Sequence, residues 1–270
     1  MTYDLRDTIF ASLGGRLFVA RVRVTTEGFV CGVELAARKV EELGCEVLHC
    51  TADGSIAGAE QPVLVLRGTA KAVAIAEDCV PGAIAKPSGI ARASRRAQEL
   101  AGDRVRVVSG AAKKMPVEIK SQVRRAIHCG GGSGRIADGP FLYLDKNYVR
   151  MFGGVRRTLE AVAGMKGFVR AIQLRGEVED IADETVAALD LGAEILMVDT
   201  GRLEDLDLVA RLVRERGRRD QTTLAFAGDI EMHDIPRIAA HDVDILDVGR
   251  AVIDAPMVDV KFDVISAEAL

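Results

Sequence analysis

The chain has 270 residues, of which 49% are hydrophobic and 28% charged, and its formal net charge is −4. This composition is typical of a globular protein with a full core and excludes a disordered or fibrous chain. The acidic balance, the 4% aromatic content and the absence of tryptophan argue against a nucleic-acid-binding surface. The N-terminus is charged where a signal peptide needs an apolar stretch, and no apolar run has the length of a membrane span. We therefore expect a cytoplasmic protein that binds neither nucleic acid nor a membrane.

The five cysteines are odd in number and include no CxxC pair, so they predict neither a disulfide framework nor a zinc ribbon. We expect reduced, mostly buried thiols at Cys31, Cys45, Cys50, Cys79 and Cys129.

The first part of the chain mixes strand and helix patterns. Alternating apolar residues predict a half-buried strand over Phe18–Val24, and a helical pattern closed by a glycine covers Val33–Leu43. A short helix is expected over Asp4–Leu13, and two further strands over Glu46–Cys50 and Pro62–Leu66. These patterns predict an α+β unit.

The stretch from Gly68 to Ala101 is rich in alanine and helical in character. Pro81 and Pro87 interrupt it, because proline donates no backbone hydrogen bond and clashes with the preceding turn. We expect two or three helical pieces, one of them starting at the capping residue Ser88.

Beyond residue 103, β-rich apolar runs alternate with amphipathic helices, which predicts βα units around a parallel sheet. Six such units favour a barrel or an incomplete barrel, and an open doubly wound sheet is the alternative. The runs are Val105–Val108, Phe141–Leu144, Phe168–Leu174, Ile195–Val198, Thr223–Phe226 and Val243–Val248.

Charged residues and glycines follow these runs, where a parallel array brings its C-terminal strand ends together. One charged residue after a strand is more often an idle loop residue than a catalytic one, so the prediction depends on the joint pattern. Glycine turns can bind phosphate, lysines can hold further phosphate, and carboxylates can bind Mg²⁺ or stabilise positive charge. The pattern predicts a phosphorylated sugar substrate, and its residues are Lys113, Lys114, Asp145, Lys146, Arg175, Glu177, Asp199, Gly228, Asp229, Gly249 and Arg250.

Several segments together resemble the quinolinate phosphoribosyltransferase family, also called nicotinate-nucleotide pyrophosphorylase. They are EGFVCG, TADGSI, SGIARASRRAQELAG, KKMPVEIKSQVRRAIHCGGG, LYLDK, ILMVD, FAGDI and VDILDVGRAV, so the resemblance spans nearly the whole chain. It implies an N-terminal α/β sandwich domain and a C-terminal incomplete α/β (TIM-like) barrel, here expected over residues 1–103 and 104–270. It also implies a homodimer or higher oligomer that uses Mg²⁺, joins quinolinate to phosphoribosyl pyrophosphate, and releases pyrophosphate and CO₂ to give nicotinate mononucleotide.

The resemblance also implies roles for single residues. Lys114 and Lys146 are similar to family lysines that contact phosphates or the acceptor. Glu177, with Glu179 as the alternative, and Asp199 are similar to carboxylates that face Mg²⁺ and the ribose hydroxyls. The expected substrate-binding residues are Lys113, Arg135, Gly228, Asp229, Gly249 and Arg250, with the two glycines at the 5′-phosphate.

The departures from the family pattern fall on the acceptor side. Lys113 takes the place of the arginine in the family's DTRKT segment, Arg135 and Ile136 replace a His-Arg pair, and Asp78 lies where an arginine is expected. Lysine lacks the bidentate fork of arginine, so binding of a dicarboxylate should weaken. Quinolinate is the default acceptor. The alternatives are a paralogue acting on a different acceptor or phosphosugar, and a non-catalytic ligand-binding protein; Lys86, Arg92 and Arg95 are candidates for a basic residue supplied by a partner subunit.

Overall fold

The computed structural model describes residues 4–267, which fall into two compact units. The first unit comprises the chain up to Arg95, the segment Pro116–Gly131 and the chain from Asp254 onward. The second comprises Arg96–Met115 and Gly132–Ile253. Each unit is therefore discontinuous in sequence, and the domain boundary between residues 103 and 104 stays a prediction.

The described residues form helices and strands in a regular succession. The helices are α1 (Leu5–Ile9), α2 (Val33–Glu42), α3 (Ala70–Ala101), α4 (Lys120–Cys129), α5 (Lys146–Phe152), α6 (Val155–Ala161), α7 (Ile181–Asp190), α8 (Leu203–Glu215), α9 (Ile235–Ala239) and α10 (Arg250–Ile253). The strands are β1 (Leu17–Val24), β2 (Gly28–Phe29), β3 (Glu46–Cys50), β4 (Ile56–Ala57), β5 (Pro62–Thr69), β6 (Arg106–Val108), β7 (Phe141–Leu144), β8 (Val169–Leu174), β9 (Ile195–Asp199), β10 (Thr223–Ala227), β11 (Ile245–Asp247) and β12 (Val260–Ala267). Short 3₁₀ turns cover Ala11–Leu13, Gly110–Lys114 and Arg219–Gln221.

The first unit contains an antiparallel four-stranded sheet in the order β12-β1-β5-β3. In β1 every second residue is buried, namely Ala20, Val22 and Val24, because successive side chains of a strand point to opposite faces. These residues join a core with Val33, Ala36 and Val40 of α2. The predicted strands of this part are confirmed, and β12, which pairs with β1, was not predicted.

The helix α3 is longer than the sequence pattern indicates. It runs through Pro81 and Pro87 as one helix of 32 residues, so the prediction of two or three pieces is wrong. Ser88 caps no helix: it is fully buried inside α3, where its hydroxyl bonds to the backbone of Cys31. A proline costs a helix one hydrogen bond and some straightness, and tertiary packing overrides this local penalty.

The second unit contains a six-stranded parallel sheet in the order β6-β11-β10-β9-β8-β7. All six predicted runs form its strands, each within a few residues of its predicted bounds. Among the described residues no pairing joins β6 to β7, so the sheet matches the incomplete barrel that was expected. Its inner side chains pack into one apolar cluster, which includes Ala171, Ile195, Met197, Ala225 and Ile245.

No helix among residues 4–267 combines the length and the apolar character needed to cross a membrane.

Candidate active site

The main cavity of the second unit lies at the C-terminal ends of its parallel strands and has a volume of about 590 Å³. This is the edge of an α/β sheet at which ligands bind. Residues at or just beyond the C-terminal ends of all six strands line it: Gly110, Lys113, Lys114, Asp145, Lys146, Asn147, Arg175, Asp199, Gly228, Asp229, Asp247, Gly249 and Arg250. Nine of the ten predicted site residues line this cavity or the smaller one beside it, and Glu177 does not.

Three lysines give the cavity its positive charge. Lys113 and Lys114 lie on the 3₁₀ turn after β6, and Lys146 is the first residue of α5. None of the three has a carboxylate within ion-pair distance among residues 4–267. Arg250, by contrast, pairs with Glu231 at 3.1 Å and lies 3.9 Å from Asp229. Unpaired ammonium groups at the mouth of a cavity favour an anionic ligand.

Asp199 is the last residue of β9 and is fixed from two sides. Its Oδ2 accepts a hydrogen bond from Arg175 Nη1 at 2.7 Å and another from the Gln173 side-chain amide. Gln173 Oε1 in turn accepts the backbone N–H of Lys146 at 2.6 Å. The carboxylate that the sequence places at the site is therefore held rigidly, and it is linked to the start of α5.

Glu177 lies outside the main cavity and is bonded to two arginines. Its Oε1 accepts a hydrogen bond from Arg175 Nε at 2.6 Å, and its Oε2 bonds to Arg150. These partners hold the pKa of Glu177 below its usual value, the Arg175 hydrogen bond being the largest cause. Glu177 and Asp199 do not form a metal site with two carboxylate ligands, because Arg175 already donates a hydrogen bond to one oxygen of each. Asp199 alone retains an oxygen, Oδ1, with no hydrogen bond from the described residues, and Mg²⁺ needs only one or two protein carboxylates when phosphates supply the rest.

The two glycine turns at the cavity differ from each other. Gly249 is followed at once by α10, whereas six residues separate Gly228 from α9. Gly228 has φ = 124°, and a Cβ there would lie 2.3 Å from the backbone nitrogen of Gly201. A side chain is therefore excluded at this position by the turn after β9, whatever ligand binds.

A second cavity of about 230 Å³ adjoins the first and shares Gly110, Lys113, Tyr143, Asp145 and Asp247 with it. Its remaining lining is mostly apolar, with Arg135 at its edge: Val108, Gly134, Ile136, Phe141 and Met197. The Arg135 guanidinium lies over the Phe141 ring, 5.2 Å from its centroid, and donates to Gly139 O at 3.1 Å. A flat ring with a group that can bond to Lys113 or Arg135 suits this inner cavity.

Asp247 and Tyr143 are the functional candidates that the sequence did not single out. Asp247 ends β11 in the way that Asp199 ends β9, and this shared position was the available signal. Its Oδ1 accepts the Gly110 N–H at 2.9 Å. Burial raises the pKa of Asp247, with a further contribution from Asp199, while the Gly110 hydrogen bond and Lys113 oppose the shift. Burial also raises the pKa of Tyr143, and the nearby carboxylates add to this effect.

A buried carboxylate supports the loop that carries Arg175. Glu184 of α7 is 1% exposed, and its Oε2 accepts the backbone N–H groups of Arg175 at 2.8 Å and of Gly176 at 2.9 Å. Burial raises the pKa of Glu184 in spite of these two hydrogen bonds. The loop after β8 is thus fixed by a group that lies outside the cavity.

Lys86, Arg92 and Arg95, the candidates for a basic residue that one subunit supplies to the site of another, all have contacts within the first unit. Lys86 Nζ donates to Ala255 O at 2.7 Å, and Arg92 donates to Thr26 and to Phe29 O. The Arg95 guanidinium lies 5.4 Å from the centroid of the Phe29 ring.

A parallel α/β sheet whose C-terminal strand ends surround a cavity is typical of barrel-like α/β enzymes. The family model described as "Quinolinate phosphoribosyl transferase, C-terminal domain" matches residues 90–263, and the corresponding N-terminal model matches residues 7–88. The first of these alone covers more than half of the chain. The chain belongs to the quinolinate phosphoribosyl transferase family, which confirms the resemblance noted in the sequence.

Individual relatives are distant in sequence but match over most of their length. A probable nicotinate-nucleotide pyrophosphorylase [carboxylating] of Methanothermobacter thermautotrophicus is 24% identical over 254 residues, covering 93% of this chain and 89% of the relative. The nicotinate-nucleotide pyrophosphorylase [carboxylating] of Homo sapiens is 24% identical over 230 residues, covering 84% of this chain and 75% of the relative. Among solved structures, the nicotinate-nucleotide pyrophosphorylase from Pyrococcus furiosus has a TM-score of 0.81 at 23% identity, covering 98% of this chain and 74% of the other. These similarities confirm the predicted fold.

Proposed function

We propose that this protein transfers the phosphoribosyl group of phosphoribosyl pyrophosphate to a pyridine carboxylate. Quinolinate is the first acceptor to test, and the products would be nicotinate mononucleotide, pyrophosphate and CO₂. The observation that carries the proposal is the cavity with Lys113, Lys114 and Lys146, which have no carboxylate partner among residues 4–267, in a chain of this family. The oligomeric form, a homodimer or larger, and the cytoplasmic location implied by the resemblance remain part of the proposal.

The phosphate-bearing end of the substrate would occupy the main cavity. The lysines offer point charges for the pyrophosphate, because an ammonium group contacts phosphate oxygens with three rotatable donors. Gly228, Asp229, Gly249 and Arg250 line the side of the cavity formed by β10 and β11. Arg250 and the backbone of these turns would bind the 5′-phosphate there.

Asp199 would stabilise the positive charge that develops on the ribose as its bond to pyrophosphate breaks. A carboxylate that is already oriented contributes most to such charge stabilisation, since it needs no reorganisation during the reaction. Gln173 and Arg175 supply that orientation through their hydrogen bonds to Oδ2. They are positioning residues in this proposal, and Glu177 acts only by holding Arg175.

The acceptor would bind in the inner cavity, where Phe141, Tyr143 and Met197 provide an apolar surface for a pyridine ring. Lys113 and Arg135 are the cations available to its carboxylates. Because the inner cavity adjoins the main one, an acceptor bound there would lie next to a ribose held in the main cavity.

Mg²⁺ belongs to the proposal as an ion that arrives with the substrate phosphates. Asp199 would be its protein ligand, consistent with the preference of Mg²⁺ for one or two carboxylates beside phosphates. When bound, the ion would neutralise charge on the leaving pyrophosphate.

A second candidate function is the same transfer to a different acceptor. It is favoured by the carboxylates of Asp145 and Asp247, which line the inner cavity together with only two cations. A dicarboxylate is repelled by such groups when they are ionised, whereas an acceptor that donates hydrogen bonds is attracted.

Pyrophosphate release by the purified protein with Mg²⁺ and phosphoribosyl pyrophosphate distinguishes these cases. Release that requires quinolinate and disappears in Asp199→Ala supports the first function. Release that requires a heterocyclic amine or amide in place of quinolinate supports the second. No release with any acceptor, while phosphoribosyl pyrophosphate still binds, would contradict both and leave a ligand-binding protein.

A further inference from the structure

Two cysteines of the first unit lie in direct contact, far from each other in sequence. The Cys31 thiol donates a hydrogen bond to the Cys129 sulfur, and the two sulfur atoms are 3.2 Å apart. Cys31 precedes α2 and Cys129 is the last residue of α4, so the pair joins positions separated by 98 residues. Neither residue contributes to the cavities of the second unit.

Buried side chains of α3 fix the backbone on both sides of this pair. Ser88 Oγ accepts the Cys31 N–H at 3.0 Å and donates to Cys31 O at 3.2 Å. Ser94 Oγ donates to Ile127 O at 2.8 Å, two residues before Cys129. Both serines are at most 1% exposed.

Glycines next to the two cysteines allow both segments to approach the backbone of α3 closely. A Cβ on Gly32 would lie 1.9 Å from Ala83 O, and a Cβ on Gly130 would lie 2.2 Å from Ala91 O. Both carbonyls belong to α3. The two cysteine-bearing segments are therefore packed directly on α3, and their sulfur atoms lie in contact.

We propose that Cys31 and Cys129 form a reversible redox pair that closes to an intrachain disulfide when a small-molecule disulfide is present. The two sulfur atoms are 3.2 Å apart, so they need to approach by only about 1.2 Å to reach the length of a disulfide bond. Of the two, only Cys129 is partly exposed, so an external reagent reaches it first.

The expectation that the cysteines are mostly buried holds only in part: Cys31 and Cys45 are buried, Cys79 and Cys129 are half-buried, and Cys50 is exposed.

The chemistry is two successive thiol–disulfide exchanges. The Cys129 thiolate attacks one sulfur of oxidised glutathione, a mixed disulfide forms, and one glutathione thiol leaves. The Cys31 thiol then attacks the Cys129 sulfur, the bond from Cys129 to glutathione breaks, and the proton of Cys31 leaves with the second glutathione thiol. Two protein thiols are thereby oxidised and one glutathione disulfide is reduced. Burial raises the pKa of Cys31, with Cys129 and Asp53 adding to the shift and Arg125 opposing it, so Cys31 stays protonated and does not make the first attack.

A metal ion is the competing occupant of this site. Atoms of Cys31, Cys129 and Asp53 lie within 4.8 Å of one another, and Asp53 Oδ2 accepts no well-formed hydrogen bond from the part of the chain that the structure describes. However, that oxygen lies 3.0 Å from Arg125 Nε, whose positive charge opposes a cation. Two sulfur ligands of tetrahedral Zn²⁺, at about 2.3 Å each, also lie farther apart than this pair. The geometry favours the disulfide.

The test is peptide mapping of the wild-type protein after native incubation with oxidised glutathione, followed by alkylation in denaturant and digestion without reductant. We expect the alkylated Cys31 and Cys129 peptides to disappear together and to return as one cross-linked pair, which dithiothreitol reverses. Cys50→Ser removes the exposed thiol and should leave the cross-link unchanged. Cys31→Ser should instead retain glutathione on Cys129, because no resolving thiol remains.

Three results would overturn the proposal. The first is a wild-type protein in which both cysteines stay fully alkylated, and the second is one in which glutathione persists on Cys129 while Cys31 is alkylated. The third is protection of both thiols by equimolar Zn²⁺ that is lost in Asp53→Asn, since this would identify a metal site. The first two results are obtained with the wild-type chain, so they do not depend on whether a variant folds.

Discussion

Gly228→Ala tests whether the glycine after β10 is required by the fold of the cavity. The new Cβ would lie 2.3 Å from the nitrogen and 2.5 Å from the Cα of Gly201, and φ is 124°. A side chain in so sparsely populated a conformation costs about 1–3 kcal/mol. Displacing packed neighbours adds about 1–3 kcal/mol. We expect the free energy of unfolding to fall by roughly 2–6 kcal/mol in total.

Gly217→Ala is the matched control within the second unit. Gly217 also has a positive φ, 62°, but a Cβ there would meet no atom within 4 Å. Its cost should be only that of the left-handed conformation, about 1–2 kcal/mol. Urea unfolding followed by far-UV circular dichroism compares the two variants. Equal loss of stability would refute the steric argument, and Gly228 would then be explained by close approach of a ligand.

Two further predictions concern the groups around Asp199. Arg175→Lys keeps the charge but cannot span Glu177 and Asp199, so we expect kcat for pyrophosphate release to fall about tenfold, the effect of losing one charge-assisted hydrogen bond. The Arg150 side chain bonds to Glu177 and to no other side chain among residues 4–267, so Arg150→Lys should have little effect; an equal fall in both variants would contradict the role of Arg175. Burial raises the pKa of Glu184, so the folded state binds this proton more tightly than the unfolded state does. The stability that results is present below the ordinary pKa of about 4.3 and is lost as the pH rises through the pKa of the folded state. The glutamine of Glu184→Gln cannot titrate but keeps an oxygen that accepts hydrogen bonds. Between about pH 4 and pH 7 the urea midpoint of this variant should therefore fall less than that of the wild type. Parallel curves of urea midpoint against pH for the two proteins would disprove this.

The parallel sheet was predictable because its strands are short apolar runs that repeat with helices between them. That pattern depends only on local sequence, and all six runs became strands. The helix α3 was not predictable in the same way, since Pro81 and Pro87 are local breakers that packing overrides. Ser88 shows the same limit: a serine that fits a helix cap on its sequence is buried against Cys31.

The part of the candidate site that lies at the ends of the parallel strands was predictable from the sequence. Asp199, Lys113, Lys114 and Lys146 could be placed at one edge from topology alone. The hydrogen bonds of these side chains could not be predicted, because Gln173 lies within a strand and Glu184 within a helix, and no sequence pattern marks either residue as part of the site. The contact between Cys31 and Cys129 depends likewise on how two distant segments pack on α3.

Equilibrium binding of phosphoribosyl pyrophosphate, measured by titration calorimetry, tests the central claim that the unpaired lysines form a phosphate site. We compare the wild type with Lys114→Ala and with Lys166→Ala, which removes an exposed lysine outside the cavity. Loss of one charge-assisted hydrogen bond, about 1.5–3 kcal/mol, predicts at least tenfold weaker binding for Lys114→Ala and unchanged binding for Lys166→Ala. Equal affinity in all three proteins, or no binding by the wild type, would contradict the account.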